Sequence, residues 1–313
     1  MGLRLAVIST LFSGVVFAQD TTYVRTINDK LSVHLFALNV TNDFSINYLD
    51  EGLEIDIIPN HKTTLNVGVQ YDIASFSIGF APSFFGENRD NEKSKMLSFS
   101  TTLYPGRFMQ WAEVYYQRGM SLESESLGFT RYMPQLKSLK IGGSTSFVFN
   151  RNFSFRAVTL QNARQLRSQG SFVPGISYYY TALDGRKEPD LGARTVFIDV
   201  ALEANYFYNW VIAKRFLLAS GIGLGLGVNW TDDTDANYSA LLSKANLMIA
   251  PGYNGERWFG GLQVRAHYTA HEAESAVEVG NGVGYFTGFV GYRFNAPPFL
   301  ERQKSKVKGL IGL

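Results

Sequence analysis

The chain has 313 residues, 45% hydrophobic and 18% charged, with a formal net charge of +2 and no cysteine. Near-neutral charge removes the electrostatic case for a nucleic-acid partner. The lack of cysteine excludes a disulfide scaffold, a thiolate metal site and a cysteine nucleophile. A mean hydropathy of −0.06 is too polar for a bundle of membrane-spanning helices, whereas 17 Tyr and 24 Phe suit a barrel with two aromatic girdles.

At the N-terminus, Arg4 precedes an apolar stretch, Leu5 to Val16, and Val16-Phe17-Ala18 has the form of a cleavage site. Residues 1–18 therefore read as a cleaved secretory signal peptide. Residues 19–60 are less regular and read as a segment leading into the main domain. Leu31 to Leu38 and Leu53 to Ile58 are candidate strands, the second broken by Pro59-Asn60.

From residue 61 to 295 the dominant pattern is an alternation of period two. Leu65, Val67, Val69 and Tyr71 share one face against Thr64, Asn66, Gly68 and Gln70. Val196, Ile198, Val200, Leu202 and Ala204 oppose Asp199, Glu203 and Asn205. Leu218, Ile222, Leu224, Leu226 and Val228 alternate with Gly221, Gly223, Gly225 and Gly227. Leu262, Val264 and Tyr268 oppose Gln263, Arg265 and His267. Each run is long enough to cross a bilayer at a tilt, which needs ~9–11 residues. The pattern predicts an all-β, transmembrane antiparallel β-barrel of about 12 strands, with 10–14 compatible. Tyr71, Tyr104, Trp210, Trp230, Trp258, Tyr268, Tyr292 and Phe294 fall near strand ends, as interfacial aromatics do.

Short turns are expected at Asp72, Pro105-Gly106, Asn150-Arg151, 209–215 and 253–256. Longer loops are expected at 82–95, 118–138, 182–194, 231–239 and 271–281. This alternation of short and long connections fails once, between Lys140 and Gly170. Either Ile141 to Leu160 is one long strand or loop length misleads there. Residues 296–313 form a basic tail containing Arg302, Lys304, Lys306 and Lys308.

The segment Asn152-Phe153-Ser154-Phe155-Arg156-Ala157, followed by Gln161-Asn162, Gln165, Ser168 and Gly170-Ser171-Phe172, resembles the core pattern of an uncharacterised family of Bacteroidota outer-membrane β-barrels. Pro59-Asn60 with Gly68-Val69-Gln70-Tyr71, Pro251-Gly252-Tyr253 and the terminal Gly291-Tyr292-Arg293-Phe294 resemble it too. The resemblance spans roughly residues 25–295. It implies fold and location, and supplies no catalytic residues.

If the polar faces point inward, Arg156, Asp199, Glu203, Arg265 and His267 form a polar cluster in the lumen, where enclosed charges pair. That cluster reads either as a packed plug or as a pore or solute site. Asp233, Asp235 and Asn237 have calcium-loop spacing, but Tyr238 and Lys244 occupy positions that need Gly and Glu. His267 and His271 with Ser275 raise a lipid hydrolase, although no nucleophile elbow is present. Arg151, Arg156, Arg164 and Arg167 form a basic stretch, with the side of the Arg164/Arg167 loop left open. No catalytic, metal or cofactor site is expected. The expected role is structural, pore-like or surface-interacting, in the outer membrane of a Gram-negative cell. Expected partners are outer-membrane lipid, lipopolysaccharide and the barrel-assembly machinery, and no nucleic acid. The alternatives are a lipid-modifying hydrolase and a soluble periplasmic β-barrel binder with its apolar face inside.

Overall fold

The computed structural model describes residues 22–48, 50, 52–59, 62–85, 88, 94–124, 127–159, 162–189, 191–232, 237–274 and 277–302. The expected signal peptide, Asp233 and Asp235 of the calcium-like loop, Gln161, Ser275 and the tail lysines lie outside the described residues.

In chain order the strands are β1 (Val24–Thr26), β2 (Lys30–Tyr48), β3 (Leu53–Pro59), β4 (Lys62–Tyr71), β5 (Ala74–Phe80), β6 (Lys95–Leu103), β7 (Phe108–Ser124), β8 (Phe129–Phe147), β9 (Ala163–Gln165), β10 (Gln169–Asp184), β11 (Arg194–Ile212), β12 (Phe216–Asp232), β13 (Asn237–Asn254), β14 (Trp258–Glu274) and β15 (Val277–Asn295). Antiparallel neighbours run around a ring of 12 strands, closed by β15 pairing with β2. The closing seam runs from Val277↔Tyr48 to Asn295↔Lys30 over the full 19 residues of each strand. The barrel wall therefore begins at Lys30, and not at residue 61 as the less regular 19–60 pattern suggested. Closure leaves no edge, so each strand's backbone groups find partners without water.

The faces sort as alternation requires. Leu202, Leu224 and Leu241 are 69%, 67% and 69% exposed on the outside, while Asn205, Asn229 and Thr231 are buried inside. This is the reverse of a soluble barrel, whose apolar face lines the interior. The outer surface is a transmembrane one. On β12 the four glycines face inward and serve packing. A Cβ on Gly221 would come 2.2 Å from the Phe207 ring, and one on Gly223 1.7 Å from Asn205 Oδ1. The stripe lets the side chains of β11 lie flat across its neighbour.

Three expectations are corrected. The connection expected at 118–138 is mostly strand, because β7 runs to Ser124 and β8 starts at Phe129. The 271–281 connection is likewise taken up by β14 and β15. Strands continue beyond the apolar band because ladder pairing does not need an apolar face. Tyr104 is not interfacial: it is buried inside the mouth.

The wall also changes width. β5 and β6 stop short, and beyond them β3 pairs directly with β7 from Asp56↔Glu123 to Pro59↔Met120. β3 alone replaces β4, β5 and β6 there, so that half of the ring has ten strands. The junction is made by a bulge between Arg118 and Met120, where Gly119 has φ +85°, a conformation that glycine tolerates. Asn88 covers the top of β4 left free by β5. Its Nδ2 donates to Thr63 O at 2.8 Å and Pro82 O at 2.6 Å, and its Oδ1 accepts from Thr63 N at 3.1 Å.

The turn-bearing end carries most of the outward aromatic pairs, among them Phe216–Tyr253 (5.3 Å) and Trp258–Tyr292 (4.9 Å). Arg215 and Arg257 reach the hydroxyls of Tyr253 and Tyr292, each at 3.4 Å. This belt places cations beside rings at headgroup level.

Two tests follow. In bilayers of brominated lipid, emission from the outward Trp210, Trp230 and Trp258 is expected to be quenched, and that of the inward Trp111 spared. Equal quenching of all four would contradict the facing. Gly225→Val places methyls beyond a Cβ already 2.9 Å from Leu202 O and 3.2 Å from Glu203 Cγ. It is expected to cost about 1–3 kcal/mol, read as a lower unfolding temperature in gel migration.

Candidate functional site

Of the two forms expected for the irregular stretch between Lys140 and Gly170, the long strand is not formed, and loop length misleads: a long connection lies at the end of the short turns. β8 ends at Phe147, and residues 148–159 and 162–168 fold back into the mouth of the barrel at the end that carries the short turns. Inside, a 3-10 turn spans Phe155–Ala157, and β9 pairs with β1 in a separate two-stranded sheet. Val24, Val148, Phe153, Ala157, Val158 and Ala163 pack against Leu217, Ala219, Met248, Ala250 and Phe259 of the wall. Phe155 meets the edge of Phe207 at 4.9 Å, the ring that Gly221 accommodates.

An irregular segment inside a barrel has backbone groups that need partners, and side-chain amides supply many of them. Gln165 Oε1 accepts from Ser154 N at 2.9 Å, while its Nε2 donates to Asn152 O at 2.6 Å. Asn209 Nδ2 of β11 donates to Ser154 O at 3.0 Å, and Asn254 Nδ2 of β13 to Ala163 O at 3.0 Å. Asn162 Nδ2 donates to Asp72 O of the β4–β5 turn.

Two arginines stitch the stopper to the rim. Arg156 donates to Asn28 Oδ1 and Asp72 O, both at 2.7 Å, and to Asn162 Oδ1 at 3.1 Å. Burial pushes the neighbouring Tyr104 phenol up to about 12, so it stays neutral beside the guanidinium. Arg164 pairs with Glu256 at 2.7 Å and donates to Lys214 O at 3.2 Å. Arg156 thus lies inside the barrel, but on the stopper and not on a wall strand. The Arg164/Arg167 segment lies at the end of the short turns. Arg293, which the sequence reading did not single out, donates to Gly255 O and Asn254 Oδ1, both at 2.6 Å.

Beyond the stopper, described residues of the lumen line two larger chambers. The one beside the stopper, about 160 Å³, has a wall of Ser75, Ser77, Ser98 and Ser100 facing Phe155, Met248 and Phe289. The other, about 100 Å³, lies toward the loops and contains Glu113, Lys140, Tyr179 and Lys244. Trp111 lines both. Beside it Arg265 is sandwiched, its Cζ 4.4 Å from the Trp111 ring and 4.6 Å from the Tyr285 ring.

The structure places Asp199, Glu203, Arg265 and His267 inside the lumen, away from Arg156. The expectation that enclosed charges pair holds for Glu203 alone. Lys244 Nζ donates to Glu203 Oε1 at 2.6 Å and to Ser177 Oγ at 2.8 Å. Asn246 Nδ2 donates to Glu203 Oε2 at 3.2 Å, and Asn246 Oδ1 lies 2.7 Å from His267 Nδ1. Asp199 takes an amide instead: Asn229 Nδ2 donates to it at 2.6 Å. Arg265 takes rings instead of a carboxylate. Lys244, Glu113 and Lys140 are members that sequence reasoning missed. Inward alternation on β7, β8 and β13 was the available signal. His267 and His271 both face the lumen, and His271 meets the edge of Phe197 at 6.0 Å. Among the described residues no group of three His, Cys, Asp or Glu is placed to hold a metal ion.

The stitching is testable. Arg156→Met removes the hydrogen bonds to Asn28 Oδ1, Asp72 O and Asn162 Oδ1, a cost on the order of 3 kcal/mol. Hydrogen exchange is expected to speed in 152–165 and stay slow in β11 to β13. Uniform acceleration throughout the barrel would contradict a separately anchored stopper.

None of the curated proteins compared with the chain matches it. Among solved structures it is similar to in-vitro folded OmpT, an outer-membrane protein of Vibrio cholerae, at 10% identity and TM-score 0.34, over 84% of this chain and 98% of that one. It is also similar to the transport unit of the autotransporter AIDA-I of Escherichia coli, at 11% identity and TM-score 0.32, over 93% and 95%. A third is the toluene transporter TodX of Pseudomonas putida, at 10% identity and TM-score 0.28, over 86% and 90%. A family model matches residues 18–294, and the chain belongs to that family, described as Domain of unknown function (DUF4421).

Proposed function

We propose that the protein is an integral outer-membrane barrel, delivered by a cleaved leader, whose periplasmic mouth is stoppered and whose lumen is approached from the loop-bearing side. The apolar outer face, the interfacial belt and the cysteine-free chain support that location. Short connections, the start of β2 and the end of β15 lie at the stoppered mouth, an arrangement that supports a periplasmic side. Outer-membrane lipid is the partner of the outer face, with lipopolysaccharide at the rim of longer loops.

The observation that carries the reading is the stopper itself, residues 148–159 and 162–168, packed on the wall and tied by Arg156 and Arg164 to three separate turns. A segment held this way closes the mouth and makes the barrel a closed, solute-holding container with no catalytic role.

The absence of cysteine from the chain makes accessibility a clean test. Ser100→Cys puts a thiol in the chamber beside the stopper. In nanodiscs its reaction with a charged maleimide is expected to be slow, and about tenfold or more faster when residues 151–167 are replaced by a short Gly-Asn linker. The same rate in both proteins would remove the stopper from the account.

A further inference from the structure

The lumen holds ionic groups with hydrogen-bonding positions left open among the described residues. Lys244 and Glu203 neutralise each other at 2.6 Å, and Asp199 is held by Asn229. Three other ionic side chains converge at the level of Trp111. Glu113 is 4% exposed. Its Oε1 accepts from the Tyr179 hydroxyl at 3.1 Å, and its Oε2 has no hydrogen-bond partner among the described residues. Arg265 stacks between Trp111 and Tyr285, and its buried Nε has no acceptor there. Lys140 lies over the Tyr179 ring at 4.9 Å, with no carboxylate within ion-pair reach among the described residues. The Trp111 indole Nε1 is buried without an acceptor as well.

Glu113, Lys140 and Trp111 line the chamber toward the loops, whereas Arg265 lines the one beside the stopper. Lys140 and the Trp111 N–H offer donors to an anion, and Glu113 Oε2 offers an acceptor to a cation. The register sets them close. Tyr115 pairs with Lys140 and Glu113 with Gly142, so Glu113 and Lys140 are diagonal neighbours on adjacent strands, about 7–8 Å apart at the backbone. A buried charge without a partner is strongly unfavourable. A simple carboxylate would satisfy the donors but set a second anion beside Glu113. A simple amine would do the reverse beside Lys140. A molecule bearing both charges on adjacent atoms satisfies both sides with charge-assisted hydrogen bonds.

We propose that the chamber toward the loops binds a small zwitterion, an α-amino acid, with its carboxylate toward Lys140 and the Trp111 N–H and its ammonium on Glu113. The reading rests on the stoppered barrel proposed above, entered from the loop side. The stopper is tested separately by the Ser100→Cys rates, so failure of one can be told from failure of the other.

The experiment uses the full chain in nanodiscs with Trp210, Trp230 and Trp258 each changed to Phe, leaving Trp111 as the only tryptophan. Its emission is titrated with L-alanine, propionate and ethylamine. Alanine is expected to give a saturable change, with propionate and ethylamine each weaker by about tenfold or more. Glu113→Gln keeps an acceptor for Tyr179 and is expected to bring alanine down to the level of propionate. Lys140→Met is expected to weaken alanine and propionate together. No saturable change with alanine, or equal responses to all three solutes, would overturn the proposal. If Glu113→Gln fails to fold, as judged by gel migration, the comparison of three solutes on the unsubstituted lumen still decides.

Discussion

In hydrocarbon no water is available to a backbone amide, so a sheet must close on itself or not form. The seam between β2 and β15 meets this constraint, and the other features of the molecule follow from it. Closure sends Leu202, Leu224 and Leu262 outward to lipid and forces Glu203, Arg265 and Lys244 into an enclosed space. Where the wall narrows, the constraint is met by local means. A glycine bulge re-aims β7 at Gly119, β3 replaces three strands, and Asn88 satisfies the end of β4.

The same demand explains the composition of the stopper. A chain segment without regular structure, enclosed in a barrel, must find a partner for each buried amide. Asn162, Gln165, Asn209 and Asn254 do so with side-chain amides, each able to donate and accept. Arg156 is suited to the junction because its planar group reaches the N-terminal segment, the β4–β5 turn and the stopper at once. The motif that carries the family resemblance, from Asn152 to Phe172, is therefore mainly the vocabulary of an internal plug. Glycines on β12 contribute from the other side by making room for Phe207, which receives Phe155.

Much of the barrel was legible in the sequence because a period of two has one physical meaning when one face must meet lipid. The facing of Val200, Leu224 and Leu262 followed directly, as did the strand number. The extent of each strand did not. Residues such as Met120, Tyr132 and His271 lie beyond the apolar band, where pairing continues without an apolar signature. β2 is hard to read for a similar reason: Asn39 interrupts the outward face of a strand that nonetheless runs 19 residues. Within the lumen, membership of Asp199, Glu203, Arg265 and His267 was readable from alternation. Their partners were not, since Lys244 reaches Glu203 across two strand boundaries and Arg265 finds rings from β7 and β15. The stopper left one trace in the sequence, the break in loop parity between Lys140 and Gly170. That break said where regularity ended without saying that the chain turned inward.

Planar-bilayer conductance tests the central claim most directly, because it asks whether a continuous aqueous path crosses the closed ring. The account predicts that the intact protein inserts and passes no steady current, and that removing residues 151–167 raises conductance severalfold. A steady current through the intact protein, unchanged by that removal, would contradict it.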